Sequence, residues 1–158
     1  MVEGLLEVPS DPARLLESHQ LSALRLHLSQ EMDKLSQFEK LGFFIISPDR
    51  ISIASMRDEN IGTVNLIHQQ RKDLLDKVFN GEMIMIPPIV SDVILETGTG
   101  QITTKGATMF FVSPIRNADN KVIAALALRI NPARGFSRLT QFGRMLKSGE
   151  TYAFDNTC

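Results

Sequence analysis

Hydrophobic and polar positions alternate along this chain with two distinct periods. From Ser10 to about Leu41 the apolar residues Leu21, Leu24, Leu28, Met32, Leu35 and Phe38 recur at spacings of three and four. That is one apolar stripe on a polar helix. Ser10 or Asp11 is placed to cap it, Pro12 suits its first turn, and Gly42 ends it. The stripe reads first as core packing, with a seam between two copies as the alternative. Phe43–Ser47 and Ile51–Met56 then read as two strands joined by a turn at Pro48-Asp49.

Arg57–Val64 is polar and reads as a loop. Leu66–Phe79 returns to helical spacing, with Ile67, Leu74, Leu75, Val78 and Phe79 as its apolar set, and Asn80-Gly81 closes it. A strand over Met83–Ile86 meets Pro87-Pro88 and continues over Ile89–Leu95. A proline pair cannot donate to a ladder, so it marks an edge or a kink. Thr97–Gly106 reads as a loop. Met109–Pro132 reads as a long hairpin around Asn117-Ala118-Asp119-Asn120, and Arg134–Leu146 as a short connecting helix. Consecutive strands joined by tight turns predict an α+β fold. The expected architecture is an antiparallel sheet of about five strands, a long N-terminal helix and helices on one side. A doubly wound parallel sheet is disfavoured because the order does not alternate strand and helix.

Composition narrows the function more than the fold. The chain has 158 residues, 43% apolar and 22% charged, which allows one domain with one substantial core. A net charge of −1, no Trp and a single Tyr give neither a basic nucleic-acid surface nor a base-stacking platform. The lone Cys158 cannot form an intramolecular disulfide, and no Cys cluster offers zinc or redox chemistry. No run approaches the roughly 20 apolar residues of a spanning helix. The acidic, proline-bearing start does not read as a signal peptide. His19, His27 and His68 are scattered without metal spacing, and no metal or cofactor is expected. Ser91, Asp92 and Glu96 lie close in sequence but form no elbow or triad pattern. Gly98-Thr99-Gly100 precedes a strand rather than a helix, a poor phosphate cradle.

Several segments taken in order are more specific than any of them alone. Phe44-Ile45-Ile46-Ser47-Pro48-Asp49 is one, and Ile53-Ala54-Ser55 followed by Asn60-Ile61-Gly62 is another. Pro114-Ile115-Arg116 with Lys121–Leu128 forms a third, and Gly149-Glu150-Thr151-Tyr152-Ala153-Phe154-Asp155 closes the series. In order and spacing the stretch from about 15 to 155 resembles the membrane-distal, PAS-like module of double Cache sensor domains. These are extracellular domains of bacterial histidine kinases, chemoreceptors and cyclases. The hairpin turn departs from the family's Asp-Gly or Asn-Gly by carrying Asp119-Asn120, and Asn tolerates the left-handed conformation. The Arg-x-Trp-Tyr signature of the amino-acid-binding branch is absent, the corresponding helix reading Gln70-Arg71-Lys72-Asp73-Leu74-Leu75.

The resemblance implies a layout of helix over 10–41, sensor module over 42–133, and connecting helix with the start of a second module over 134–158. It also implies an extracytoplasmic location, a larger receptor carrying the effector, and no catalysis in this chain. A ligand would sit between the sheet and the segment joining the second and third strands, which holds His68, Arg71, Lys72, Pro87, Pro88, Ser91 and Asp92. Arg71 with Asp92 would clamp a small zwitterion or acid. On the strand Val122–Ile130 one face carries Ile123, Ala125, Ala127 and Arg129, small residues that leave volume for a helix or a ligand. Phe111 and Ser113 on the partner strand are expected to line the same space. A ligand there predicts that Ala127→Trp blocks binding while sparing the fold. The candidate ligand contacts are therefore Arg71, Ser91, Asp92, Phe111, Ser113, Ala127 and Arg129, with a small-molecule partner and a possible homodimer through the first helix. Three other readings stay open: a spacer or dimerisation module without a ligand, a cytosolic PAS-type cofactor domain, and a small enzyme.

Overall fold

The computed structural model describes residues 1–8, 10–34, 42–92, 95–96, 102–103 and 106–130. The elements are α1 (Val2–Leu6), α2 (Pro12–Leu16), α3 (His19–Lys34), β1 (Phe43–Ile46) and β2 (Ser52–Ser55). They continue with α4 (Leu66–Phe79), β3 (Ile84–Val90), β4 (Leu95–Glu96), β5 (Ile102–Thr103), β6 (Ala107–Arg116) and β7 (Val122–Ile130). The connecting helix expected over Arg134–Leu146, the Gly149–Asp155 motif and most of the 97–106 loop lie outside the described residues.

Five strands pair antiparallel in the order β2-β1-β7-β6-β3, while β4 and β5 form a separate two-stranded ladder. This is the α+β, PAS-like sheet expected of the sequence. The β6–β7 hairpin turns at 117–120, where the Asn117 side chain accepts from the backbone N–H groups of Asp119 and Lys121. Asn120 takes φ 64°, the left-handed position that asparagine tolerates. β3 runs straight through Pro87-Pro88 as an edge strand. Its register against β6 shifts between Ile86 and Ile89, so the prolines interrupt the ladder without ending the strand.

Every residue of β1 is buried, because the sheet is covered on both faces. Phe44 and Ile46 join Ile67, Leu75, Val78, Ile86, Phe110, Val112, Ala125 and Ala127 in a core beneath α4. Phe43 and Ile45 point the other way, to Leu5, Leu15, Leu21, Leu24, Ile53, Ile61 and Ala124 beneath the N-terminal helices. Helices thus flank both faces, not one.

The single N-terminal helix expected from Ser10 is broken. Asp11 accepts from Ala13 N–H to cap α2, but α2 stops at Leu16 and α3 begins afresh at His19. Ser18 causes the break. Its hydroxyl accepts from Gln20 N–H at 3.2 Å and donates to Gln20 Oε1 at 2.6 Å, a local bond that competes with a continuous helix. Gly62 sets the seat of α2. It has φ 75°, and a Cβ built there would lie 2.5 Å from Pro12 Cγ.

α4 starts on Asn65, whose buried side chain accepts from Ile67 N–H at 2.9 Å and donates to Ser52 Oγ at 3.0 Å. It ends on Gly81 at φ 104°, as its C-cap chemistry predicts. Inside it, Arg71 takes φ −140° and ψ 56°, which breaks the helix after its first turn. The second half is anchored at the β1–β2 turn, where Arg50 pairs with Asp76 at 2.7 Å and lies 4.0 Å over the Phe79 ring.

Candidate functional site

Three of the residues singled out in the sequence meet at the end of the sheet beneath α4. Arg129 stands on β7 opposite Phe110 of β6, on the same face as Ala125 and Ala127. Ser91 and Asp92 follow the end of β3, held by a bond from Ser91 N–H to Gly106 O at 2.9 Å. The Arg129 guanidinium donates from Nη1 to Ser91 Oγ at 3.2 Å and from Nη2 to Asp92 Oδ1 at 2.6 Å. It also lies 5.3 Å from the Phe110 ring centre and 5.7 Å from that of Phe44, two rings 5.8 Å apart. The side chains of Arg129 and Asp92 are only 13% and 21% exposed, so the pair is shielded from solvent far more than a surface ion pair. An aromatic floor, a fixed guanidinium and a carboxylate at the rim are the elements of a polar recognition site.

Other expected contacts fall elsewhere. Arg71 does not face Asp92. It lies at the break in α4 and reaches Asp73 over 3.4–3.5 Å, and this contact holds the Asp73 carboxyl below its ordinary value. The cation that Asp92 meets is Arg129. Phe111 and Ser113 lie on the opposite face of the sheet from Ala127. Their cross-strand partners are Leu128 and Leu126, whereas Val112 is the residue opposite Ala127. Phe111 is 52% exposed there. The volume expected above the small residues of β7 is filled, because Ala125 and Ala127 are fully buried in the α4 core. Ala127→Trp would therefore overpack that core instead of sparing the fold.

Two features went unnoticed in the sequence. Gln70, the last residue before the break in α4, donates from Nε2 to Val90 O at 2.9 Å. It also accepts from Val90 N–H at 3.0 Å, so its amide stands in for a strand on the β3 edge. Thr108, fully buried on β6, has a hydroxyl without a hydrogen-bond partner. Strand parity was the available signal for Thr108, since it is two residues from Phe110 and shares its face. Nothing in the sequence marked Gln70.

His68 Nδ1 is likewise buried without a hydrogen-bond partner. A separate cavity of about 310 Å³ opens on the other face, between the segment after α1, the β1–β2 turn and the start of β7. Among the described residues no cluster of three His, Cys, Asp or Glu side chains is placed to hold a metal ion. No helix among them is long and apolar enough to cross a membrane.

No protein-family model matches the chain, and no curated protein does. Among solved structures it is similar to the crystal structure of a sensory box sensor histidine kinase from Vibrio cholerae. The identity is 10% and the TM-score 0.37, over 69% of this chain and 95% of that one. The PAS-like assignment rests on this chain's own strand pairing.

Proposed function

We propose that the chain is the small-molecule-sensing module of an extracytoplasmic receptor domain, itself non-catalytic, whose larger protein carries a kinase, chemoreceptor or cyclase effector. The PAS-like sheet supports the class of module, and the ordered double-Cache-like segments support the receptor setting. The observation that carries the reading is the Arg129–Asp92–Ser91 cluster over Phe44 and Phe110. It gathers charge, hydrogen-bonding groups and an aromatic floor at one end of the sheet. Sensing requires a ligand that binds two states unequally. Gln70 ties the end of β3 to the first turn of α4, so a shift of Ser91 or Asp92 is passed to that helix. Homodimerisation through α3 belongs to the same proposal.

The test is a thermal-shift screen against amino acids, small carboxylates, amines, purines and sugars. A ligand at about 100 times its dissociation constant adds roughly 2.7 kcal/mol. At about 2–4 °C per kcal/mol for a chain of this size, the melting temperature rises by roughly 5–11 °C. A response confined to one chemical class and lost in Asp92→Asn is the expected result. No response to any class overturns the sensing reading and favours a ligand-free spacer.

A further inference from the structure

The polar groups of the cluster define what it accepts, granted that it is the ligand site. Arg129 and Asp92 already neutralise each other at 2.6 Å, and no second ion pair reaches either of them among the described residues. Their charges sum to zero, and both side chains are shielded from most of the solvent, at 13% and 21% exposure. A ligand with net charge would leave one charge unmatched there, which is costly away from water. Among the described residues two hydrogen-bonding positions are open. Asp92 Oδ2 takes no hydrogen bond from a described residue, Oδ1 being the atom that meets Arg129. The Thr108 hydroxyl is fully buried and unpaired.

Sheet register places Thr108 at this site. It pairs with Ile89, two residues before Ser91, and lies two residues before Phe110, the partner of Arg129. Thr108 is therefore a diagonal neighbour of both Ser91 and Arg129 on one face, within reach across roughly 7–8 Å between Cα atoms. A buried hydroxyl without a partner is destabilising, and a group of that kind beside a fixed ion pair is where a ligand atom gains most. Thr108 is covered in this conformation. On that face the first turn of α4 packs through Ile67 in one cluster with Ile89 and Phe110, the residues that pair with Thr108 and Arg129, and Gln70 ties this turn to Val90.

We propose that the Arg129–Asp92–Thr108 cluster selects a small ligand of zero net charge, neutral or zwitterionic. It would offer a hydrogen-bond donor to Asp92 and an acceptor to the Thr108 hydroxyl, and binding would open the first turn of α4 at the Arg71 break. This rests on the sensing reading above and narrows it to a ligand class.

The test uses four three-carbon probes of nearly equal size: propionamide, β-alanine, propionate and propylamine. Each is titrated into the ¹⁵N-labelled protein and followed by backbone chemical shifts. The expected result is that propionamide or β-alanine binds at least about tenfold tighter than either charged probe. Shifts should centre on 66–70, 90–92 and 106–110. Asp92→Asn leaves the Arg129 charge unmatched, so the preference should move to propionate. Thr108→Val removes the unpaired hydroxyl at nearly the same shape. It should melt no lower than wild type while losing about tenfold in affinity for the preferred probe; a purely structural role would leave affinity unchanged. If propionate or propylamine binds wild type most tightly, the charge-neutral class is wrong and the site stands. If one of the wider ligand classes stabilises the protein equally in Asp92→Asn and Thr108→Val, the ligand sits elsewhere and this inference fails with its site. If none of the four probes binds and Thr108→Val only raises the melting temperature, the inference is overturned.

Discussion

Ala127→Leu separates a filled face of β7 from an open one by the sign of its effect. Ala127 is fully buried, flanked in register by Phe44 on β1 and Val112 on β6, in one cluster with Leu75 and Val78 of α4. If the face held an empty pocket, three added carbons would bury in it, stabilising by up to about 2 kcal/mol at ~0.8 kcal/mol per methylene. In a core already closed by α4, the same carbons force neighbouring side chains from their rotamers and cost about 1–3 kcal/mol. For a chain of this size that is a fall of roughly 2–12 °C in melting temperature, at about 2–4 °C per kcal/mol. The assay is thermal unfolding followed by far-ultraviolet circular dichroism. Phe111→Leu is the control, on the opposite face at 52% exposure. It should stay within about 0.5 kcal/mol of wild type. An Ala127→Leu protein that melts at or above wild type would refute the packing described here and restore a pocket beneath α4.

Gly62→Ala should be more destabilising than Gly42→Ala in the same melts. A Cβ at Gly62 meets Pro12 Cγ at 2.5 Å on a backbone at φ 75°, where a left-handed residue alone costs about 1–2 kcal/mol, whereas at Gly42 the nearest atom is 4.0 Å away. The Asp76 carboxyl is held below its ordinary value, chiefly by its hydrogen bond from Arg50. A depressed acid contributes stability above its unfolded-state value and loses it as the pH falls through its folded-state value. The melting gap between wild type and Asp76→Asn should therefore be constant well above the ordinary aspartate value of about 3.9 and close as the pH falls below it. A gap that persists in acid would show that the Arg50–Asp76 bond is not its source.

Where local chemistry decided an element, periodicity placed it well. The helix read over Leu66–Phe79 and the strand read over Val122–Ile130 have the bounds observed for α4 and β7. Asn65 and Gly81 punctuate the first, and a nearly continuous apolar run beside an asparagine turn defines the second. The N-terminal stripe misled because apolar spacing says which side of a segment is buried, not whether the backbone between is continuous. One hydroxyl at Ser18 splits the segment while Leu15, Leu21 and Leu24 still reach one core.

The site shows the same division. Ser91, Asp92 and Arg129 were each legible as polar residues beside an apolar strand, yet Asp92 was matched to Arg71 on the nearer helix. Its true partner lies 37 positions away, joined only once β6 pairs with both β3 and β7. Phe111 and Ser113 failed for a related reason. Alternation along one strand sorts its residues into two sets, but which set shares a face with Ala127 depends on the register, and that puts Val112 opposite it. A pairing one residue out exchanges the whole set. Thr108 is the counterpart. Once Phe110 is known to face Arg129, parity alone brings this hydroxyl to the guanidinium's side of the sheet. Residue type thus marks which groups have the chemistry, and strand register decides which of them act together.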